Sequence, residues 1–140
     1  MKLGVITDCF KLPLEESFKK AGELGFNGVQ VYATTGSFSP EVLGAADRAK
    51  YKKLLKDCGL EVSALCGDMG GHGFQIACDN PARIEATKRI VDLANDFETK
   101  VVTTHIGVIP DDKLDPTYGV MAEALSKCGR YAVEKGFSSE

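Results

Sequence analysis

The residues best placed to do chemistry are His105, His72, Asp68, Asp8, Gln30 and Cys66. The chain has only two histidines. His105 ends the apolar run "VVTTHIGVIP", and His72 sits in the glycine-rich "CGDMGGHGF". An imidazole at either place can bind a divalent metal or donate to a substrate oxygen, or it can be a structural histidine bonded to a neighbouring loop. Asp8 and Asp68 follow apolar runs, where a carboxylate can be a metal ligand, a base or a loop cap. Gln30 interrupts the apolar "VQV" and is expected either to point into a site or to hold a loop backbone, while Cys66 closes a third run just before the glycines. Gly67, Gly70, Gly71 and Gly73 allow close backbone approach and positive φ, as a ligand-admitting loop, a lid or a plain exposed turn would need.

These positions share a context. The runs 3–7, 28–33, 61–66 and 100–106 are rich in β-branched residues and read as strands. Between them apolar residues recur at helical spacing: Leu14, Phe18, Ala21 and Leu24; Ala46, Ala49, Leu54 and Cys58; Ile90, Leu93, Ala94 and Phe97; Met121, Ala124, Leu125 and Cys128. Pro13, Pro40, Pro81 and Pro116 stand where helices should begin, with Ser39, Asn80 and Asp115 as N-caps before three of them. Gly25, Gly59 and Gly136 close three helices, and Glu98, Thr99 and Lys100 stand at the end of the other. The chain therefore reads βαβαβαβα, with right-handed crossovers between parallel strands.

Strands that are apolar at nearly every position imply a sheet covered on both faces. Two architectures fit: a small doubly wound open sheet, or half of a (βα)₈ barrel. A full barrel needs at least ~200 residues, and this chain has 140. "AVEKGFSSE" repeats the helix, glycine, apolar order that opens the second and third strands, so a fifth strand is expected to start at Phe137. The preferred reading is a single (βα)₄ half-barrel domain over 1–140, truncated before strand five. In either fold the ligand site lies at the carboxyl ends of the strands, where the candidate residues other than Gln30 fall.

Composition narrows the function. A net charge of −3 with no block of basic residues argues against a nucleic-acid partner. The amino-terminal apolar run is broken by Asp8 and Lys11, too early for a secretory core or membrane span. Five scattered cysteines without a C-x-x-C pair suggest reduced thiols and a cytoplasmic location. No Walker A or G-x-G-x-x-G spacing appears, so nucleotide phosphate is not indicated. Asp111, Asp112 and Asp115 read as a solvated loop ending in a helix cap.

Taken together, "LGVITDCF", "GFNGVQVYA", "SALCGDMGGHGF" and "VVTTHIGVIP" resemble the sugar phosphate isomerase/epimerase family, the xylose isomerase-like barrels, as their first four βα units. The resemblance implies a sugar or sugar phosphate substrate, a divalent metal (Mn, Mg or Zn) and proton transfer at a carbon beside a carbonyl. It makes His105 the strand-four histidine that lines the pocket, a metal ligand in the related AP endonuclease branch, and it puts His72 in the strand-three loop. The family's core metal and acid/base carboxylates come from strands five to eight, so the catalytic set is incomplete here. An open half-barrel is expected to form a homodimer or higher oligomer. Two other readings remain, a non-catalytic dimeric half-barrel binding module and an AP endonuclease-like relative.

Overall fold

The computed structural model describes residues 1–138, in which four parallel strands lie in the order β1-β2-β3-β4. β1 is Gly4–Ile6, β2 Gly28–Tyr32, β3 Glu61–Cys66 and β4 Val102–Thr103. The helices are α1 Leu14–Glu23, α2 Ala45–Asp57, α3 Asn80–Asp96 and α4 Pro116–Glu134. Strand order never reverses, so right-handed crossovers place every helix on one side of the sheet. That is half of a TIM barrel; a doubly wound sheet would reverse its order. No helix among the described residues is long and apolar enough to cross a membrane.

The helix-facing side is dry. Val29, Val31 and Leu65 from the strands pack with Phe18, Ala21, Ile90, Leu93 and Ala94 from the helices. Phe38 links the layers, its ring 5.6 Å from Tyr51 and 4.7 Å from Phe97. Burial of such rings and aliphatic chains is what holds the helices to the sheet, at about 1.5–3 kcal/mol per large side chain. The opposite face is only partly covered by this chain, contrary to the two-sided burial that the apolar strands predict: Ala64 and Cys66 in the middle of it are buried, but the residues around them are not. Ile6, Tyr32 and Val101 on that face are 37%, 37% and 49% exposed.

Other expectations need correction. The fourth strand is predicted over 100–106 but is regular only at Val102–Thr103. It has one neighbour: Leu65 N–H donates to Val101 O at 3.0 Å and Gly67 N–H to Thr103 O at 2.7 Å, so the backbone of Val102 faces away from β3 with nothing to extend the ladder. Helix α2 does not begin at Pro40. Phe38 and Leu43, both buried, hold that stretch against the core, Leu43 N–H donates to Ser39 O at 2.9 Å, and the helix starts only after Gly44. In α2 Ala46 and Ala49 are exposed, and Tyr51 and Leu55 make the buried stripe. Asn80 lies inside α3 and not at its cap; its side chain donates to Phe74 O at 3.0 Å. Asp115 caps α4 as predicted, accepting from Thr117 N–H at 2.8 Å.

The helix ends show one conformation with two residue types. Gly25, Gly59 and Gly136 have φ of 80°, 69° and 83°, and Glu98 takes the same left-handed place after α3 at φ 60°. Phe137, predicted to open a fifth strand, is buried in the main core with the Lys100 ammonium 5.1 Å from its ring centre. Residues 139 and 140 of that expectation lie outside the described residues.

Candidate functional site

Register decides which strand side chains meet. Ile6 pairs with Gln30, Gln30 with Ala64, Tyr32 with Cys66, and Cys66 with Thr103, so these residues share the face away from the helices. A register shift at Val29/Gln30 brings Gln30 opposite Ala64 rather than Ser63. Gln30 Nε2 donates to Thr103 Oγ1 at 3.3 Å, bridging from β2 over β3 to β4. Gln30 therefore points inward, and its partner is a side chain rather than a loop backbone.

Two residues further toward the carboxyl ends, Tyr32 stands beside Cys66. The Cys66 sulfur, by its charge and by a hydrogen bond, does most to raise the Tyr32 hydroxyl above its ordinary value; burial, Asp68 and Asp8 add to the rise. A phenol is protonated at neutral pH without any such shift, and Tyr32 can donate to a ligand oxygen. Tyr32 lies in this cluster, though composition and motif did not single it out. The signal was its place in "GVQVY", one strand period after Gln30.

Asp8 lies in the 3₁₀ turn Thr7–Phe10 that follows β1, exposed, with Thr7 Oγ1 donating to its Oδ2 at 3.2 Å. Beside it a cleft of about 200 Å³ is lined by Thr7, Asp8, Leu12, Tyr32, Thr35 and Ser37. Asp68 is half-buried and accepts from Gly70 N–H at 2.6 Å, so it also serves as the loop cap that short acidic side chains commonly provide. Asp8, Tyr32, Cys66 and Asp68 thus gather at one end of the sheet.

The histidines have different surroundings. His105 is exposed, two residues past the end of β4. His72 has its Nε2 2.9 Å from Asp79 Oδ2, while its Nδ1 is buried with no hydrogen-bond partner. The divalent metal that the resemblance implies asks for several converging donors. Among the described residues no three His, Cys, Asp or Glu side chains come together in that way. His105 stands as a single donor, and both His72 nitrogens are spoken for or shut off from solvent. These residues alone do not fit a metal.

Parallel strands with helices on one side and a polar cluster at their carboxyl ends define half of a (βα)₈ barrel, with its ligand end facing out of the open mouth. Residues 18–138 match the family model of the xylose isomerase-like TIM barrel, and the chain belongs to that family. Its fold is similar to a xylose isomerase domain protein from Planctomyces limnophilus (TM-score 0.78, 19% identity, 97% of this chain and 51% of that one). It is also similar to a D-tagatose 3-epimerase-like protein (TM-score 0.77, 17% identity, 99% and 51%) and to 3-keto-D-glucoside 4-epimerase from E. coli (TM-score 0.72, 20% identity, 98% and 54%). The chain spans about half the length of each of these structures. No curated protein matches the sequence significantly.

Proposed function

We propose that this chain is the amino-terminal half of a barrel enzyme that isomerises or epimerises a sugar or sugar phosphate by proton transfer beside a carbonyl. The observation that carries this reading is the convergence of Asp8, Gln30, Tyr32, Cys66, Asp68 and Thr103 on the inner face and at the strand ends. Neutral donors and acceptors flanked by two carboxylates suit the several hydroxyls of a sugar. Tyr32 would donate to a ligand oxygen, Gln30 and Thr103 would read hydroxyls deeper in the mouth, and Asp8 or Asp68 would accept from hydroxyls at the rim. His105 would line the pocket and contribute at most one ligand to a divalent cation (Mn, Mg or Zn), the remaining donors coming from the half of the barrel not present here. The five free thiols support a reducing, cytoplasmic setting.

Solvent-deuterium incorporation tests this reading. A panel of ketoses, aldoses and their phosphates is incubated in D₂O with the chain alone and with the chain joined to a second four-strand half, with and without Mn²⁺, Mg²⁺ or Zn²⁺. Deuterium is expected at the carbon beside the carbonyl only with the completed barrel and only with metal. Exchange that survives chelation, or conversion without exchange, overturns it.

A second reading is favoured by the bare inner face and the outward backbone of Val102. Two copies would cover each other's open edges and hold a polyol without converting it. A stable dimer that binds ligand and shows no exchange would select it. The AP endonuclease-like alternative draws nothing from the net charge of −3, and a DNA-binding titration against salt disposes of it if no salt-dependent affinity appears.

A further inference from the structure

The β3–α3 loop (67–79) and the β4–α4 loop (104–115) cross through two glycines. Gly73 has φ 59°, and a Cβ there would lie 2.1 Å from the Ile106 carbonyl carbon and 2.3 Å from Gly107 N. Gly107 has φ 97°, and a Cβ there would lie 2.5 Å from the His72 carbonyl oxygen. No side chain fits at either point. Phe74 N–H donates to Ile106 O at 2.9 Å and the Thr104 hydroxyl donates to Gly67 O at 3.3 Å, so one backbone bond and one side-chain bond tie the two loops on both sides of the crossing.

Beneath them lies a buried cluster separate from the main core. Phe74, Ile84, Met121, Ala124 and Cys128 form it, with Met69, Ile106 and Leu125 packed against it. Met69 and Phe74 from the first loop and Ile106 from the second sit in or against this cluster, so neither loop can lift without exposing it. The β3–α3 loop is then held to the start of α3: His72 Nε2 lies against Asp79 Oδ2, Asn80 Nδ2 donates to Phe74 O, and Arg83 Nη1 donates to Gly70 O at 3.2 Å. His72 combines the two attachments, its ring held by Asp79 and its carbonyl lying against Gly107.

We propose that His72 is a positioning residue: paired with Asp79, it pins the β3–α3 loop across the β4–α4 loop, so that Asp68 and His105 are presented as one rigid unit. This rests on the reading that the strand ends form the site. The ring does not reach the ligand; its two nitrogens face Asp79 and the loop interior. Asp68 lies five residues before Gly73, inside a turn closed on Gly70, and His105 lies two residues before Gly107. Fixing the crossing fixes both.

The test reads loop geometry, so it can fail or succeed independently of any turnover. With two histidines in the chain, the NMR spectrum has two imidazole sets, and His72→Gln assigns them. In His72→Ala, amide exchange in 67–79 and in 104–110 should rise together by roughly tenfold or more, and the His105 imidazole signals should shift or broaden. Protection in β2 and α2 should stay as it was. His72→Gln, whose side-chain N–H can still donate to Asp79, should restore most of the protection. Asp79→Ala breaks the same pair from the exposed side and serves if His72→Ala does not fold. Unchanged exchange in 104–110 with unchanged His105 signals would overturn the proposal. So would an even loss of protection along the whole chain, which is what a merely stabilising pair would give.

Discussion

The two faces of the sheet are built from the same strands and have opposite characters. On the helix side Val29 and Leu65 are 0% exposed, whereas Val101 on the inner side is about half exposed. The difference shows where folding energy resides in this chain and where function is offered. The helix face is closed by residues the chain itself provides. The inner face carries Gln30, Tyr32, Cys66 and Thr103 beside Ile6 and Val101, polar and apolar groups that find few partners within the chain.

Substitutions on the two faces sharpen that contrast. Phe18→Ala empties a fully buried site and should cost about 3–5 kcal/mol in urea unfolding, against under ~1 kcal/mol for Val101→Ala on the inner face. A loss for Val101→Ala as large as for Phe18→Ala would mean the inner face is covered in solution. Gly107→Ala meets both the His72 carbonyl and a left-handed backbone, and should cost at least about 1–3 kcal/mol. A neutral result would break the account of the loop crossing. Removing the α4 cap with Asp115→Ala should cost ~1 kcal/mol.

Smaller effects come from the helix ends and surface. Glu98→Gly relieves a left-handed backbone and should stabilise by about 0.5 kcal/mol, the left-handed penalty being partly offset by the entropy of glycine. Thermal unfolding of that variant against Gly59→Ala, which should move the other way, checks it. Asp96 is pushed up by burial, yet hydrogen bonds from Lys52 and Arg48 and their charges outweigh this and hold its carboxyl below the ordinary value of 3.8. Its contribution is therefore full above that ordinary value and fades as pH falls through the lower folded one. Asp96→Asn should flatten this part of the acid-unfolding curve; an unaltered curve would remove Asp96 from the account.

Most of the helix face was legible in the sequence. Ile90, Leu93, Ala94 and Phe97 repeat at helical spacing and are all buried, because a helix lying on a sheet needs one apolar stripe. α2 was misread because periodicity alone could not show that Phe38 and Leu43 hold the chain against the core before the helix begins. At the candidate site, strand-end position pointed to Asp8, Cys66, Asp68 and His105 and the interrupted apolar run to Gln30; the structure gathers Asp8, Cys66 and Asp68 at one end of the sheet and leaves His105 exposed past β4, while the place of Tyr32 depends on register with Cys66, which periodicity does not show. His72 was legible as a loop histidine. Its pairing with Asp79 was not, since that depends on how the loop folds back on α3.

The contact between Gly73 and Gly107 also limits how this protein could diversify. An inserted residue in either loop at that point would part the two backbones and open the cluster around Phe74. The β1–α1 turn and residues 33–37 after β2, which hold Asp8 and Thr35 beside an open cleft, have no such glycine crossing, and the β2–α2 segment is anchored only further on, by Phe38 and Leu43. Changes of length in descendants of this sequence should therefore collect in the β1–α1 turn and in 33–37, while the other two loops stay at fixed length.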